Sequence, residues 1–139
     1  MHNIWIADDD EAIRLVLEES LSSAGFKTKS FSSGDDLVSE LENSEPDLII
    51  TDVQMPGMLG YDLLKHITNN YEDLPVIVMT AFADMQAAVE SFGGGAFEYM
   101  PKPFDLEDAI KINNVKKLMN IILHLMEILK NSMGLSKAK

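Results

Sequence analysis

The 139-residue sequence contains no cysteine, which excludes a disulfide framework and thiolate chemistry alike. Long apolar runs are missing too. The first, residues 4–7, is short and stops at three acids, so nothing reads as a signal peptide and a cytoplasmic protein is the simplest expectation. Basic residues are scarce where acids are dense. Residues 1–110 hold 5 Lys/Arg against 22 Asp/Glu, a net −17 within a whole-chain charge of −12. Such a body repels a phosphate backbone, so direct nucleic-acid binding by this chain is not expected. Residues 111–139 reverse the sign, with 6 Lys and Glu127 as the one acid, net +5. A solvated charge run is the simplest reading of that tail, with a membrane surface or nucleic acid as the alternative contact. No phosphate-binding G-x-x-x-x-G-K-[ST] occurs. His2, His66 and His124 lack ligand spacing, and DDDEAIRLVLEE lacks the central glycine of a calcium loop.

What is present is a regular alternation. At 46% hydrophobic residues the chain fits a globular protein, and its length suits one domain with a proper core. Five strand-sized apolar runs recur, at residues 4–7, 28–31, 48–51, 76–80 and 97–100. Several do not alternate, as expected for strands buried on both faces. Helical patterns lie between them. Residues 11–24 place Ile13, Leu17, Leu21 and Ala24 on one face, and Gly25 stops the helix. Gly34-Asp35-Asp36 opens a second helix over Leu37 to Leu41. A third runs from about Tyr61 to Asn69 and a fourth from about Asp84 to Phe92, before Gly93-Gly94-Gly95. A fifth begins after Pro103, with Asp105 as its N-cap. Five strand–helix repeats call for right-handed crossovers and an α/β doubly wound parallel sheet covered on both faces. Sites in such sheets form at the carboxyl ends of the strands, where strand order switches.

The polar residues collect at that edge. Asp8 and Asp9 follow the first strand in IADDDEAIR, and Asp52 ends the third in DLIITDVQMPG. Thr80 ends the fourth in VIVMTA, and Lys102 follows the fifth in YMPKPF. Three carboxylates in one pocket ionise together only with a cation among them. An all-oxygen site with few protein ligands suits magnesium, Mg²⁺. Asp52 then becomes a carboxylate nucleophile for a phosphoryl group, with Lys102 and the metal offsetting its charge and the Thr80 hydroxyl donating to it. Asp10 is expected at the pocket rim or as cap of the first helix.

The pieces IADDDEAIR, DLIITDVQMPGMLGYDLL, LPVIVMTAFAD and GAFEYMPKPF together resemble the receiver domain of two-component response regulators, in register over about residues 1–112. The wording is nearest to receivers of bacterial enhancer-binding activators of the nitrogen-regulation type. The resemblance implies a flavodoxin-like five-stranded sheet in order 2-1-3-4-5, with a C-terminally extended fifth helix. It implies Asp52 as phospho-acceptor for a sensor histidine kinase, and Asp8 and Asp9 as the acidic pair for Mg²⁺, with Asp9 the more direct ligand. It further implies that Gln54 lends its backbone carbonyl to the metal. Thr80 and Lys102 are similar to the family's switch hydroxyl and phosphate-binding lysine, Tyr99 to its switch aromatic, and Lys102-Pro103 to its cis peptide. Leu59 departs from the more usual polar residue beside the site. The implied role is a phosphorylation switch that catalyses its own phosphorylation and slow dephosphorylation, not an enzyme.

Two other functions fit less well. A Mg²⁺-dependent phosphohydrolase with a strand-end Asp nucleophile needs a second acid two residues on, where Gln54 stands. A phosphorylation-independent interaction module that keeps only the fold typically loses an acid or the lysine, and none is lost here. The chain divides into a receiver domain, 1–112, and a helical extension with a basic tail, 113–139. Residues 105–133 contain no Gly or Pro. There Ile112, Val115, Met119, Ile122, Met126, Leu129 and Met133 form a heptad-like seam. Leu118, Ile121, Leu123, Leu125 and Ile128 widen it beyond a one-sided stripe. A homodimer through this helix is expected. A membrane span is not, because the segment between Lys117 and Lys130 is short and carries Asn120, His124 and Glu127.

Overall fold

A computed structural model of the chain describes residues 2–53, 60–71, 73–80, 85–92, 96, 98–101 and 120. The elements follow one another as β1 (Asn3–Ala7), α1 (Glu11–Ser23), β2 (Lys27–Phe31), α2 (Gly34–Leu41), β3 (Leu48–Asp52), α3 (Gly60–Asn70), β4 (Val76–Thr80), α4 (Met85–Phe92) and β5 (Glu98–Pro101). The expected fifth helix, Gln54, Leu59, Lys102, the Lys102-Pro103 bond and the apolar seam of the tail lie outside the described residues.

All strand pairs are parallel, and the order is β2-β1-β3-β4-β5. The non-alternating runs LIITD and VIVMT are buried at every position, because each lies between two other strands and under helices on both faces. β2 is the edge. Its sequence KTKSF is only partly covered, and its lysines discourage pairing with another chain. Lys29 there reaches Glu40 of α2 at 2.8 Å and lies 5.9 Å above the Trp5 ring.

Side chains on successive strand residues point to opposite faces, and the core divides accordingly. Ile4, Ile6, Leu48, Ile50, Ile77 and Met79 pack with Ile13, Leu17 and Leu21 of α1. Trp5, Ala7, Ile49, Val76 and Val78 pack with Leu37 and Leu41 of α2, Leu63, Leu64 and Ile67 of α3, and Ala88 of α4. α1 therefore lies on one face, and α2, α3 and α4 on the other. Right-handed crossovers demand this when β1 connects outward to β2 and every later strand is added in the opposite direction. The switch point falls between β1 and β3.

Local signals set the helix ends. Asp10 caps α1, its Oδ1 accepting from the Ala12 amide at 2.9 Å. The Ser33 hydroxyl accepts from the Asp36 amide at 3.2 Å, so α2 starts at Gly34, and Asp35 and Asp36 sit in its first turn, where acids suit the helix dipole. α1 ends in a Schellman turn: Phe26 N–H donates to Leu21 O and Gly25 N–H to Ser22 O, both at 3.0 Å. Phe26 and Leu21 meet in the same core cluster. Gly25 has φ of +95°, and a Cβ placed there would touch nothing within 4 Å. The glycine is needed for its backbone alone. Gly25→Ala is therefore expected to lower unfolding free energy by about 1 kcal/mol, and Gly25→Asn by less, in denaturant titrations with unchanged slope.

Candidate functional site

β1 and β3 run in register with Ala7 opposite Thr51. One residue further, Asp8 arrives beside Asp52. β4 continues the row: Asp52 stands opposite Met79, and Thr80 opposite Pro101 of β5. The ladder thus brings chain segments more than 40 residues apart to one edge of the sheet. Among the described residues, the buried polar or charged side chains are Asp8, Thr51, Asp52 and Thr80, and all four lie at this edge. Burying a carboxylate is costly unless hydrogen bonds or opposite charge compensate it, so two in one place mark a site rather than a support.

The three consecutive aspartates have three different environments. Asp8 is 2% exposed. Its N–H donates to Phe31 O at 3.1 Å, prolonging the β1–β2 ladder by one residue. Its Oδ1 accepts from the Asp10 amide at 2.8 Å, and its carbonyl accepts from Arg14 Nη1 at 2.6 Å. Asp9 is exposed. Asp10 faces outward as the α1 cap, so of its two expected places the helix cap is the one found.

Asp52 is 5% exposed, with Oδ1 accepting from the Val53 amide at 2.7 Å. The Thr51 hydroxyl donates to the Asp52 carbonyl at 3.1 Å. One carboxylate oxygen from each of Asp8, Asp9 and Asp52 can be chosen so that all three lie within 4.8 Å of one another. At that spacing two unit charges repel by about 3 kcal/mol at an effective dielectric near 20, and by less where water screens Asp9. A hard cation relieves this, and an all-oxygen donor set is the kind it prefers.

Thr80 is buried at the carboxyl end of β4. Tyr99, on β5, is half-buried and packs against the cluster containing Trp5, Val78 and Ala88. Burial pushes its phenol above the usual tyrosine value.

Comparison with known proteins bears on this arrangement. The family model for the response regulator receiver domain matches residues 4–114. The chain belongs to that family. The receiver is 46% identical over 108 residues to the DNA-binding transcriptional regulator NtrC of Klebsiella pneumoniae, covering 78% of this chain and 23% of that protein. Escherichia coli K12 NtrC is 44% identical over 109 residues, again 23% of its length. The chain thus spans about a quarter of the curated relatives it matches. Among solved structures, the response regulator TrrA of Thermotoga maritima is 30% identical with a TM-score of 0.68, covering 85% of this chain and 99% of that one. A response regulator structure from Chloroflexus aurantiacus is 31% identical with a TM-score of 0.73, covering 88% and 98%.

The receiver's acidic pocket was legible in the sequence; two of its supports were not. Arg14 is the only arginine in the chain, one turn into the helix that the acids open, and that isolation was its signal. Thr51 is the polar exception within LIIT, and its hydroxyl fixes the backbone of Asp52. Among the described residues no helix is long and apolar enough to cross a membrane.

The differing roles of neighbouring aspartates give opposite effects. Asp9→Asn removes one like charge and is expected to stabilise the metal-free receiver by about 1 kcal/mol at low salt, a gain that shrinks at high salt. Asp10→Ala removes a cap and is expected to destabilise by about 1 kcal/mol at either ionic strength. Chemical denaturation of both variants at two salt concentrations checks this.

Proposed function

We propose that this receiver accepts a phosphoryl group on Asp52 from a sensor histidine kinase, with Mg²⁺ bound by Asp8, Asp9, Asp52 and the Gln54 carbonyl. The observation that carries the reading is the trio of carboxylates converging at the switch point, two of them buried. The TrrA structure is a complex with Mg²⁺–BeF, which supports a divalent cation in the corresponding pocket.

The chemistry assigned to each residue follows from its place. A carboxylate oxygen of Asp52 attacks phosphorus in line with the phosphohistidine P–N bond. The P–O bond of an acyl phosphate forms, the P–N pair returns to the imidazole, and the charge of the phosphoryl oxygens is retained. The Val53 amide holds the Asp52 carboxylate against rotation, and the Thr51 hydroxyl holds the Asp52 backbone carbonyl. Asp8, tied into the β1–β2 ladder, gives the pocket a fixed wall. Bound Mg²⁺ supplies positive charge to the carboxylates and the transferring group. Lys102 adds a second cation, and the Thr80 hydroxyl donates to a phosphoryl oxygen after transfer. Drawing Thr80 toward the acyl phosphate vacates space behind it, and Tyr99 turns inward to fill it. The changed surface is the output, and slow hydrolysis resets it.

The curated relatives are DNA-binding transcriptional regulators, which supports a role in transcription regulation, carried in the cytoplasm. We further propose that the fifth helix expected over residues 105–133 pairs two copies through its wide apolar stripe.

Two measurements test this. Incubation with acetyl phosphate, followed by intact mass spectrometry, is expected to add one phosphoryl group in the presence of Mg²⁺. EDTA or Asp52→Asn should abolish the adduct. A folded protein with no adduct under any condition would point instead to a phosphorylation-independent interaction module. Sedimentation velocity over a concentration series is expected to show a monomer–dimer equilibrium; a monomer throughout removes the pairing.

A further inference from the structure

The arginine beside the acidic pocket is aimed at backbone, not at a carboxylate. Arg14 Nη1 donates to the Asp8 carbonyl oxygen at 2.6 Å, a part-buried, charge-assisted hydrogen bond. That carbonyl belongs to the Asp8–Asp9 peptide group. A peptide group is planar, so fixing its oxygen fixes the plane from which the Asp9 Cα departs. The Asx turn closed by the Asp10 amide on Asp8 Oδ1 spans this unit as well, and Arg14 holds its carbonyl oxygen. Asp8 N–H is tied to Phe31, the Asp8 side chain to the Asp10 amide, and the Asp10 side chain to the Ala12 amide. Asp9 is the exposed member of the trio, with the least packing to orient it.

We propose that Arg14 is a positioning residue for Asp9: by clamping the Asp8–Asp9 peptide it presets the exposed carboxylate for Mg²⁺. The inference rests on the reading of Asp8, Asp9 and Asp52 as the metal site and adds a residue that does not touch the metal. Two effects of Arg14 oppose each other. Its charge beside the pocket repels a cation, whereas its hydrogen bond orders a ligand. The repulsion is screened, since guanidinium and pocket both border water. Ordering of a ligand by an outer partner typically changes metal affinity by about 10–100-fold. Positioning therefore dominates, and loss of Arg14 weakens binding.

The test compares wild type, Arg14→Lys and Arg14→Met by calorimetric Mg²⁺ titration, with metal-free unfolding midpoints as a check on folding. Both variants are expected to bind Mg²⁺ about tenfold more weakly than wild type. Lys keeps the charge but not the planar fork that reaches a carbonyl from a helix. With acetyl phosphate, the Mg²⁺ concentration at half-maximal rate should rise by the same factor, while the rate at saturating Mg²⁺ stays near wild type. A purely structural defect would lower that plateau rate and the unfolding midpoint together. Variants that bind Mg²⁺ as tightly as wild type, or more tightly, overturn the positioning role and leave the metal site standing. Wild type that releases no heat and needs no Mg²⁺ for phosphorylation overturns the metal-site reading and this inference with it.

Discussion

Parallel pairing of β1 with β3 holds two buried carboxylates, Asp8 and Asp52, at adjoining strand ends, and much else in the molecule follows from that forced proximity of like charge. The ladder cannot relieve it by slipping. A shift of one residue would exchange the faces of Ile4 and Trp5, or of Ile49 and Ile50, and so unpack both cores. The register that builds the hydrophobic layers is the same register that sets the acids together.

Magnitudes show why the fold tolerates this and what it leaves exposed to control. Among the described residues, the eleven largest fully buried side chains are all Leu or Ile, and each contributes about 1.5–3 kcal/mol of gross burial. Repulsion of a few kcal/mol within the acidic trio is small against that gross term. It is comparable with the net stability of a domain, about 5–15 kcal/mol, that remains after chain entropy is subtracted. A ligand that neutralises the pocket is therefore coupled to the stability of the whole sheet, as a switch requires. Bonds to the backbone or carboxylate of the two buried acids brace the pocket: from the Arg14 side chain and to the Phe31 carbonyl at Asp8, from the Val53 amide and the Thr51 hydroxyl at Asp52. Asp9 is left the most exposed of the three.

Much of this could be read directly from the chain. Strand-sized runs of Ile, Val and Leu, a glycine where α1 must turn left-handed, and acids just past two strands all act locally. Their outcomes agree with the structure to within a residue or two. β2, expected at 28–31 and found at Lys27–Phe31, carries little apolar signal in KTKSF because it lies at the edge of the sheet, paired on one side with β1. The division of labour in Asp8-Asp9-Asp10 was also partly hidden. Identical side chains in sequence differ only through what surrounds them: a ladder for Asp8, water for Asp9, a helix start for Asp10.

The sequence by itself determined the alternation of strands and helices, the burial of the central strands and the presence of acids at their carboxyl ends. These follow from periodicity and from residue chemistry that acts over a few positions. The tertiary structure alone decided how closely the acids' oxygens approach and which other groups brace them. Those are distances between segments far apart in the chain, fixed by parallel pairing and the switch in strand order. Arg14 illustrates the limit: its charge is plain in the sequence, but its target, a backbone carbonyl six residues earlier, exists only once β1 ends and α1 begins at the angle the packed sheet imposes.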